Sequence, residues 1–180
     1  MLQSARLLAI AAHTGQYRRG GDPYYKHPER VVDNIITYFP QFSHNDTILA
    51  SAWLHDVLED TSTTPTDLSS QTSQDVLNIV LELTNDVPQL KLLGKKLYLM
   101  QKMSEMSDNA LVIKLADRLD NIQDLDVCDR KWAIKYAQQT KDIMEYLQDK
   151  RFKSESTIFQ PILQEILEVV NSFLEKQVNE

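Results

Sequence analysis

Residues 55–60 read HDVLED, and they close an apolar run in which Ile48, Ala52, Trp53 and Leu54 share one face at helical spacing. His55 and Asp56 set a nitrogen and an oxygen ligand side by side, a pair able to grip one divalent metal. Glu59 lies four residues beyond His55 and three beyond Asp56, so on a continuous helix it projects from the same face. Asp60 repeats that offset from Asp56. Three carboxylates around one imidazole repel one another unless a cation neutralises them. The stretch predicts a helix ending in a metal site, with spare carboxylates to handle a water molecule. The plain alternative is a solvated helix end. Acids in a last turn oppose the helix dipole at about 0.3–1 kcal/mol each, which weighs against it.

The same periodicity runs through the rest of the chain. Val31, Ile35 and Phe39 repeat every four residues, and Val76, Ile79, Val80 and Leu83 form a second stripe. Leu111, Leu115, Leu119 and Ile122 make a third, and Ile162, Ile166, Val169, Val170 and Phe173 a fourth. No stretch alternates as a strand does and no internal repeat is apparent, so the fold class is all-α. Residues 18–26 (RRGGDPYYK) read as a loop, and Pro28 behind His27 suits the first turn of a helix. Further breaks fall at Thr61–Thr66, Asp86–Pro88 and Arg151–Thr157, with Thr157 and Gln160 spaced as a capping box. At 180 residues the chain predicts a single domain, 1–180, with a core from about 13 to 125 and C-terminal helices from about 129 to 177.

Hydrophobic residues at 42% and charged residues at 25% describe an ordinary globular chain, and the formal net charge is −7. That balance argues against nucleic acid or an anionic membrane as a partner, while a small phosphorylated ligand needs only a local basic cluster. The single cysteine, Cys128, forms no intrachain disulfide and suits a reducing, cytoplasmic compartment in a structural or incidental role. The opening MLQSARLLAIAAH reads as an amphipathic helix rather than a signal peptide, because His13 ends a short apolar run. No run approaches a membrane span. Oligomeric state is not set by the sequence, and a homo-oligomer stays open.

Two ligands hold a cation weakly, so others must come from elsewhere. His27 stands at a loop–helix junction beside a basic loop, whereas His13 in an apolar run and His44 in a polar loop read as structural or solvent-exposed. In KLADRLDN (114–121), Asp117 and Asn121 share a helical face that Asp124 continues, and Asp117 also reads as an ion-pair partner of Lys114 or Arg118. The order His27, His55-Asp56, Asp117 resembles the HD-domain phosphohydrolases, which are all-α metal-dependent enzymes. Four blocks sharpen the likeness: Gln16-x-Arg18-Arg19, Pro23-Tyr24-x-x-His27-Pro28, Ala52-x-Leu54-His55-Asp56-x-x-Glu59-Asp60-Thr61, and Lys114-Leu115-Ala116-Asp117-Arg118-Leu119-x-Asn121. They resemble the hydrolase domain of the RelA/SpoT homologues, which degrade the alarmone (p)ppGpp. With no room for a synthetase domain, the chain is similar to the stand-alone small alarmone hydrolases such as the metazoan SpoT homologue. Thr84-Asn85-Asp86 followed by Lys91, Lys95 and Lys96, and the Asp124-Leu125 ending, are reminiscent of that small form, which carries Thr-Asp-Asp.

The resemblance implies an HD-domain helical bundle and one Mn2+ held by His27, His55, Asp56 and Asp117. It implies hydrolysis of the 3′-pyrophosphate of ppGpp or pppGpp to GDP or GTP and pyrophosphate. Glu59 and Asp60 are the pair expected to position and deprotonate water, with the base between them left open. Arg18, Arg19 and Lys91 are the expected phosphate ligands and Asn121 the expected nucleotide contact, with Lys114 read equally as a structural ion pair. The chain departs from the pattern at Arg19, at Gly20-Gly21-Asp22 with its added acid, at Asp120 and at Gln123, which bear on substrate preference more than on the metal. The rival readings are a phosphatase of NADPH or of nucleoside monophosphates in the same pocket, and a non-catalytic alarmone-binding module.

Overall fold

The computed structural model describes residues 1–152 and 157–178. In chain order its helices are α1 (Leu2–Ala12), α2 (Lys26–Tyr38), α3 (Asp46–Leu54), α4 (Val57–Asp60), α5 (Pro65–Gln71) and α6 (Gln74–Leu83). There follow α7 (Val87–Leu93), α8 (Lys95–Glu105), α9 (Asp108–Gln123), α10 (Arg130–Lys150) and α11 (Gln160–Val178). The described residues contain no strand, only one isolated antiparallel bridge between Tyr17 and Pro23, so the all-α expectation holds. None of these helices is long and apolar enough to cross a membrane.

Contacts group the chain into two units, the first made of residues 1–85 and 107–117, the second of 86–106 and 118 onward. At the centre of the first unit lies α3, in which every residue from Ile48 to Leu54 is buried. A helix that is apolar all round belongs inside a core. Its one buried hydroxyl, Ser51, is satisfied by donating to the Thr47 carbonyl at 2.8 Å. Asn45 starts the helix by accepting from the Ile48 amide, and Asp46 complements the N-terminal end of the dipole. Helices α1, α2 and α6 pack on α3. α1 presents the small Ala5 and Ala9 to the interior, and α2 buries Val31 and Ile35, with Phe39 just past its end. Each large side chain so buried contributes roughly 1.5–3 kcal/mol. The start of α9 is fixed from outside itself, because the Ser107 amide and hydroxyl donate to the two carboxylate oxygens of Glu82 at 2.6 and 2.7 Å.

In the second unit α10 packs against α8 and α11. Asp86 caps α7 and Asp129 caps α10, each accepting an amide of the first turn at 3.0 Å. Pro88 lies inside α7 rather than between helices, in the first turn where its missing N–H is harmless. Arg118 does not pair with Asp117: it is buried, its Nη1 donates to Thr140 Oγ1, and its guanidinium lies 5.0 Å from the Tyr136 ring centroid. Asp120 is wholly buried, Gln123 is exposed, and the half-buried Cys128 donates to the Asp124 carbonyl. The capping box read at Thr157 and Gln160 is not formed. Gln160 is the first residue of α11, and Thr157 Oγ1 has no hydrogen-bond partner among the described residues. Phe159, packed on Phe152 with centroids 4.8 Å apart, sets the entry to α11 instead. Part of the 151–157 link (153–156) lies outside the described residues.

Candidate metal centre and acid pair

The HDVLED stretch is not one helix. α3 stops at Leu54, His55 and Asp56 form a turn, and α4 resumes for a single turn from Val57 to Asp60. His55 Nδ1 lies 2.7 Å from the Ala52 carbonyl. A carbonyl only accepts, so Nδ1 carries the proton. It takes the acceptor that an unbroken helix would offer to the Asp56 amide, and Asp56 adopts φ −104°, ψ −6°. The same bond turns the Nε2 lone pair inward, as a backbone carbonyl on the far nitrogen does when it fixes the tautomer of a metal-binding imidazole. The dipole argument from a long helix therefore does not apply to Glu59 and Asp60, which sit on a helix of four residues.

His27 enters from the first turn of α2: Tyr25 and Lys26 lead in, and Pro28 follows as the fixed-φ residue. Asp117 comes from α9. His27 Nε2 and His55 Nε2 stand 3.2 Å apart, both buried. Asp56 Oδ2 is 3.4 Å from His27 Nε2 and 3.1 Å from His55 Nε2, and Asp117 Oδ1 is 3.3 and 3.8 Å from the same two atoms. An ion holding nitrogen and oxygen ligands at about 2.1 Å spaces neighbouring ligand atoms roughly 3.0–3.4 Å apart. Four of the five distances fall in that range and the fifth, from His55 to Asp117, is longer at 3.8 Å; His27, His55 and Asp117 are buried with ligand atoms mutually within 4.8 Å. The donor set and its geometry fit a divalent cation.

The electrostatics follow from the crowding. Burial pulls the His55 imidazole down, but the Asp56 and Asp117 carboxylates outweigh it and raise the group above its ordinary value. Burial would raise Asp56, and the His55 and His27 imidazoles overcome it to hold the carboxyl well below the usual range. For Asp117 burial also opposes ionisation, and Lys114, then the two histidines, prevail. Lys114 Nζ donates to Asp117 Oδ2 at 2.9 Å, leaving Oδ1 for the centre. Lys114 is thus the ion-pair partner of Asp117 and orients it.

The acid pair divides. Asp60 is joined to the centre by Tyr24, whose hydroxyl lies 2.7 Å from Asp56 Oδ2 and 2.9 Å from Asp60 Oδ2 and donates its one proton between them. Burial, then the two carboxylates, push the Tyr24 phenol far above the ordinary tyrosine value, so it stays a neutral donor. Glu59 is held by Asn85, whose amide N–H and side-chain Nδ2 donate to Oε1 and Oε2, each at 2.8 Å. Tyr24 appears in the sequence only as a flank of a motif, and Asn85 as part of a basic segment. No spacing rule connects Asn85 with Glu59, 26 residues away.

His13 is buried, stacked on Tyr24 with centroids 4.4 Å apart, and its Nδ1 lies 2.7 Å from Gln16 Oε1. Gln16 Nε2 donates to the Asp60 carbonyl at 2.7 Å. His13 therefore has a structural place, and His44 is exposed. Residues 16–24 form a tight hairpin closed by Tyr24 N–H to the Gln16 carbonyl and by the Arg18 and Asp22 pairing. Gly21 makes its turn at φ +92°, a region that favours glycine. Half-buried Arg18 and exposed Arg19 sit on this hairpin, and the added acid, Asp22, is 3.7 Å from Arg30. Lys91 and Asn121 belong to the second unit, Lys91 exposed in the last turn of α7 and Asn121 half-buried near the end of α9.

Residues 5–151 match the model of the HD domain family. GTP pyrophosphokinase rsh of Brucella melitensis is 30% identical over 174 residues, which cover 90% of this chain and 22% of the relative. The chain thus spans about a fifth of the length of such relatives. The guanosine-3′,5′-bis(diphosphate) 3′-pyrophosphohydrolase of Xenopus tropicalis is 36% identical over 131 residues, 71% of either chain. The solved structure of a metazoan ortholog of SpoT, described as hydrolyzing ppGpp and playing a role in starvation responses, matches with a TM-score of 0.78. It is 26% identical, and the match covers 96% of both chains.

Proposed function

The chain belongs to the HD domain family, and from that premise we propose that it is a metal-dependent guanosine-3′,5′-bis(diphosphate) 3′-pyrophosphohydrolase, a single-domain enzyme acting on ppGpp and pppGpp. The observation that carries the reading is the convergence of His27, His55, Asp56 and Asp117 on one point, with a carboxylate pair a turn away. Relatives named for this reaction, of similar size and over 30% identical, support the substrate.

The four side chains would hold one Mn2+, an ion suited to mixed imidazole and carboxylate donors. When bound, the cation supplies a Lewis acid toward phosphoryl oxygens and makes water a stronger acid. The chain's own residues do the rest. Glu59 and Asp60 orient a water and take its proton as its oxygen attacks the phosphorus attached to O3′. The O3′–P bond breaks, O3′ regains a proton, and GDP or GTP leaves with pyrophosphate. Arg18 and Arg19 on the hairpin, with Lys91 and Asn121, are the proposed ligands of phosphates and nucleotide, because an acidic protein needs a local basic lip for a polyanion. The lone Cys128 supports a reducing, cytoplasmic setting.

The test is a substrate panel of ppGpp, pppGpp, NADPH and deoxynucleoside monophosphates with added Mn2+, resolving pyrophosphate from orthophosphate. Pyrophosphate from ppGpp is expected. Orthophosphate from NADPH or the monophosphates alone would replace this reading with the phosphatase one. Tight ppGpp binding without turnover would leave a binding module.

A further inference from the structure

We propose that Asn85 is a positioning residue for the hydrolysis, holding the Glu59 carboxylate in a fixed orientation toward water; the inference rests on the hydrolase reading. Glu59 stands exposed on a single helical turn, where a glutamate side chain is otherwise free to sample many rotamers. Here both of its oxygens are taken by one residue, Oε1 by the Asn85 backbone amide and Oε2 by Nδ2, each at 2.8 Å. The fork fixes the carboxylate plane as well as its position. The backbone half is itself anchored, since the preceding Thr84 donates from its amide and its hydroxyl to the Val80 carbonyl at the end of α6.

A carboxylate offers about four lone-pair sites, so two donors leave others open to receive a proton from water. The orientation of the Asn85 amide carries the second half of the argument. With Nδ2 toward Glu59, its Oδ1 is buried and has no hydrogen-bond partner among the described residues. Turning the amide over would set a carbonyl oxygen against a carboxylate. The orphaned acceptor is therefore the consequence of serving Glu59, and an unpaired buried acceptor destabilises a fold. Asp60 is held differently, by a phenol it shares with Asp56, and the two acids are positioned by independent devices.

The experiment is a kinetic cycle on the full chain with ppGpp and Mn2+, using Asn85→Leu, Glu59→Gln and the double variant. Asn85→Leu keeps the backbone donor and removes both the side-chain donor and the orphaned acceptor. We expect kcat to fall roughly 10- to 100-fold, as misplacement of a reacting group does. KM should stay within about twofold, the Mn2+ content should not change, and Tm should hold or rise. In the Glu59→Gln background the same substitution should change single-turnover rate by less than about twofold, because its target is gone. If the Leu variant does not fold, Asn85→Ser is carried through the same cycle. Wild-type kcat in the variant, or a loss undiminished without Glu59, overturns the inference alone. A wild-type protein with no ppGpp turnover takes down the hydrolase reading and this inference with it.

Discussion

Two pairs of residues in one short stretch, His55-Asp56 and Glu59-Asp60, are treated by the fold in opposite ways. His55 and Asp56 are drawn inward and crowded against His27 and Asp117, and their neighbours shift both groups against the direction in which burial alone would push them. Glu59 and Asp60, a turn later, lie exposed, and each is tied down by a residue distant in sequence. The break in the helix at His55 makes the difference. A straight helix would send Glu59 out over the same face as His55, whereas the turn packs the first pair against His27 and Asp117 and leaves the second exposed. Under the proposed function, binding and proton transfer fall to separate pairs within one stretch, and substitutions should separate them.

The largest expected effect is on the buried side. His55→Ala or Asp56→Ala should reduce bound divalent metal and turnover together to background, read by elemental analysis and pyrophosphate release. A variant that lost metal yet kept turnover would erase the division. Glu59→Gln comes next: metal content should be unchanged while kcat falls about 10²- to 10⁴-fold, the usual range for a lost general base. Loss of metal in this variant would place Glu59 with the ligands. Lys114→Met removes the donor that orients Asp117, and should weaken Mn2+ roughly 10- to 100-fold by titration, with kcat at saturating metal largely restored.

The smallest effect lies outside both pairs. Thr64 and Asp67 form the capping box of α5, and Thr64→Ala should cost about 1 kcal/mol in a denaturant melt. The Thr64 side-chain and backbone donors lower the Asp67 carboxyl below its ordinary value. Its stabilisation is present above the unfolded value, near pH 4, and is lost as pH falls through the lower folded one. The gap between wild type and variant should therefore narrow in acid, with the active site unaffected.

Much of this was legible in the residues. Stripes such as Leu111, Leu115 and Leu119 announced helices, and their complete burial follows from a face that has nowhere else to go. The four converging side chains were legible in their order along the chain, although spacing alone would have carried only His55 and Asp56. What escaped reading depends on three-dimensional neighbours. The apolar face of α3 runs into His55 without a glycine or proline, so nothing in the pattern signals a break that a side chain makes by capturing the Ala52 carbonyl. The Thr157 box has the right spacing, yet Phe159 finds an aromatic partner and α11 begins after it. Tyr24 and Asn85 act on carboxylates 26 to 36 residues away, at distances no local rule spans.

One last consequence follows from the Glu82 carboxylate that receives Ser107 at the head of α9. It sets the rotational phase of a rod whose third turn carries Asp117. Each residue advances an α-helix by about 100°, so a single insertion or deletion between Ser107 and Asp117 would swing the Oδ1 atom to another side of the rod. This segment should accept changes of side chain at the exposed Asp108 and Asn109 and none of length, which makes it the most exacting ruler in the molecule.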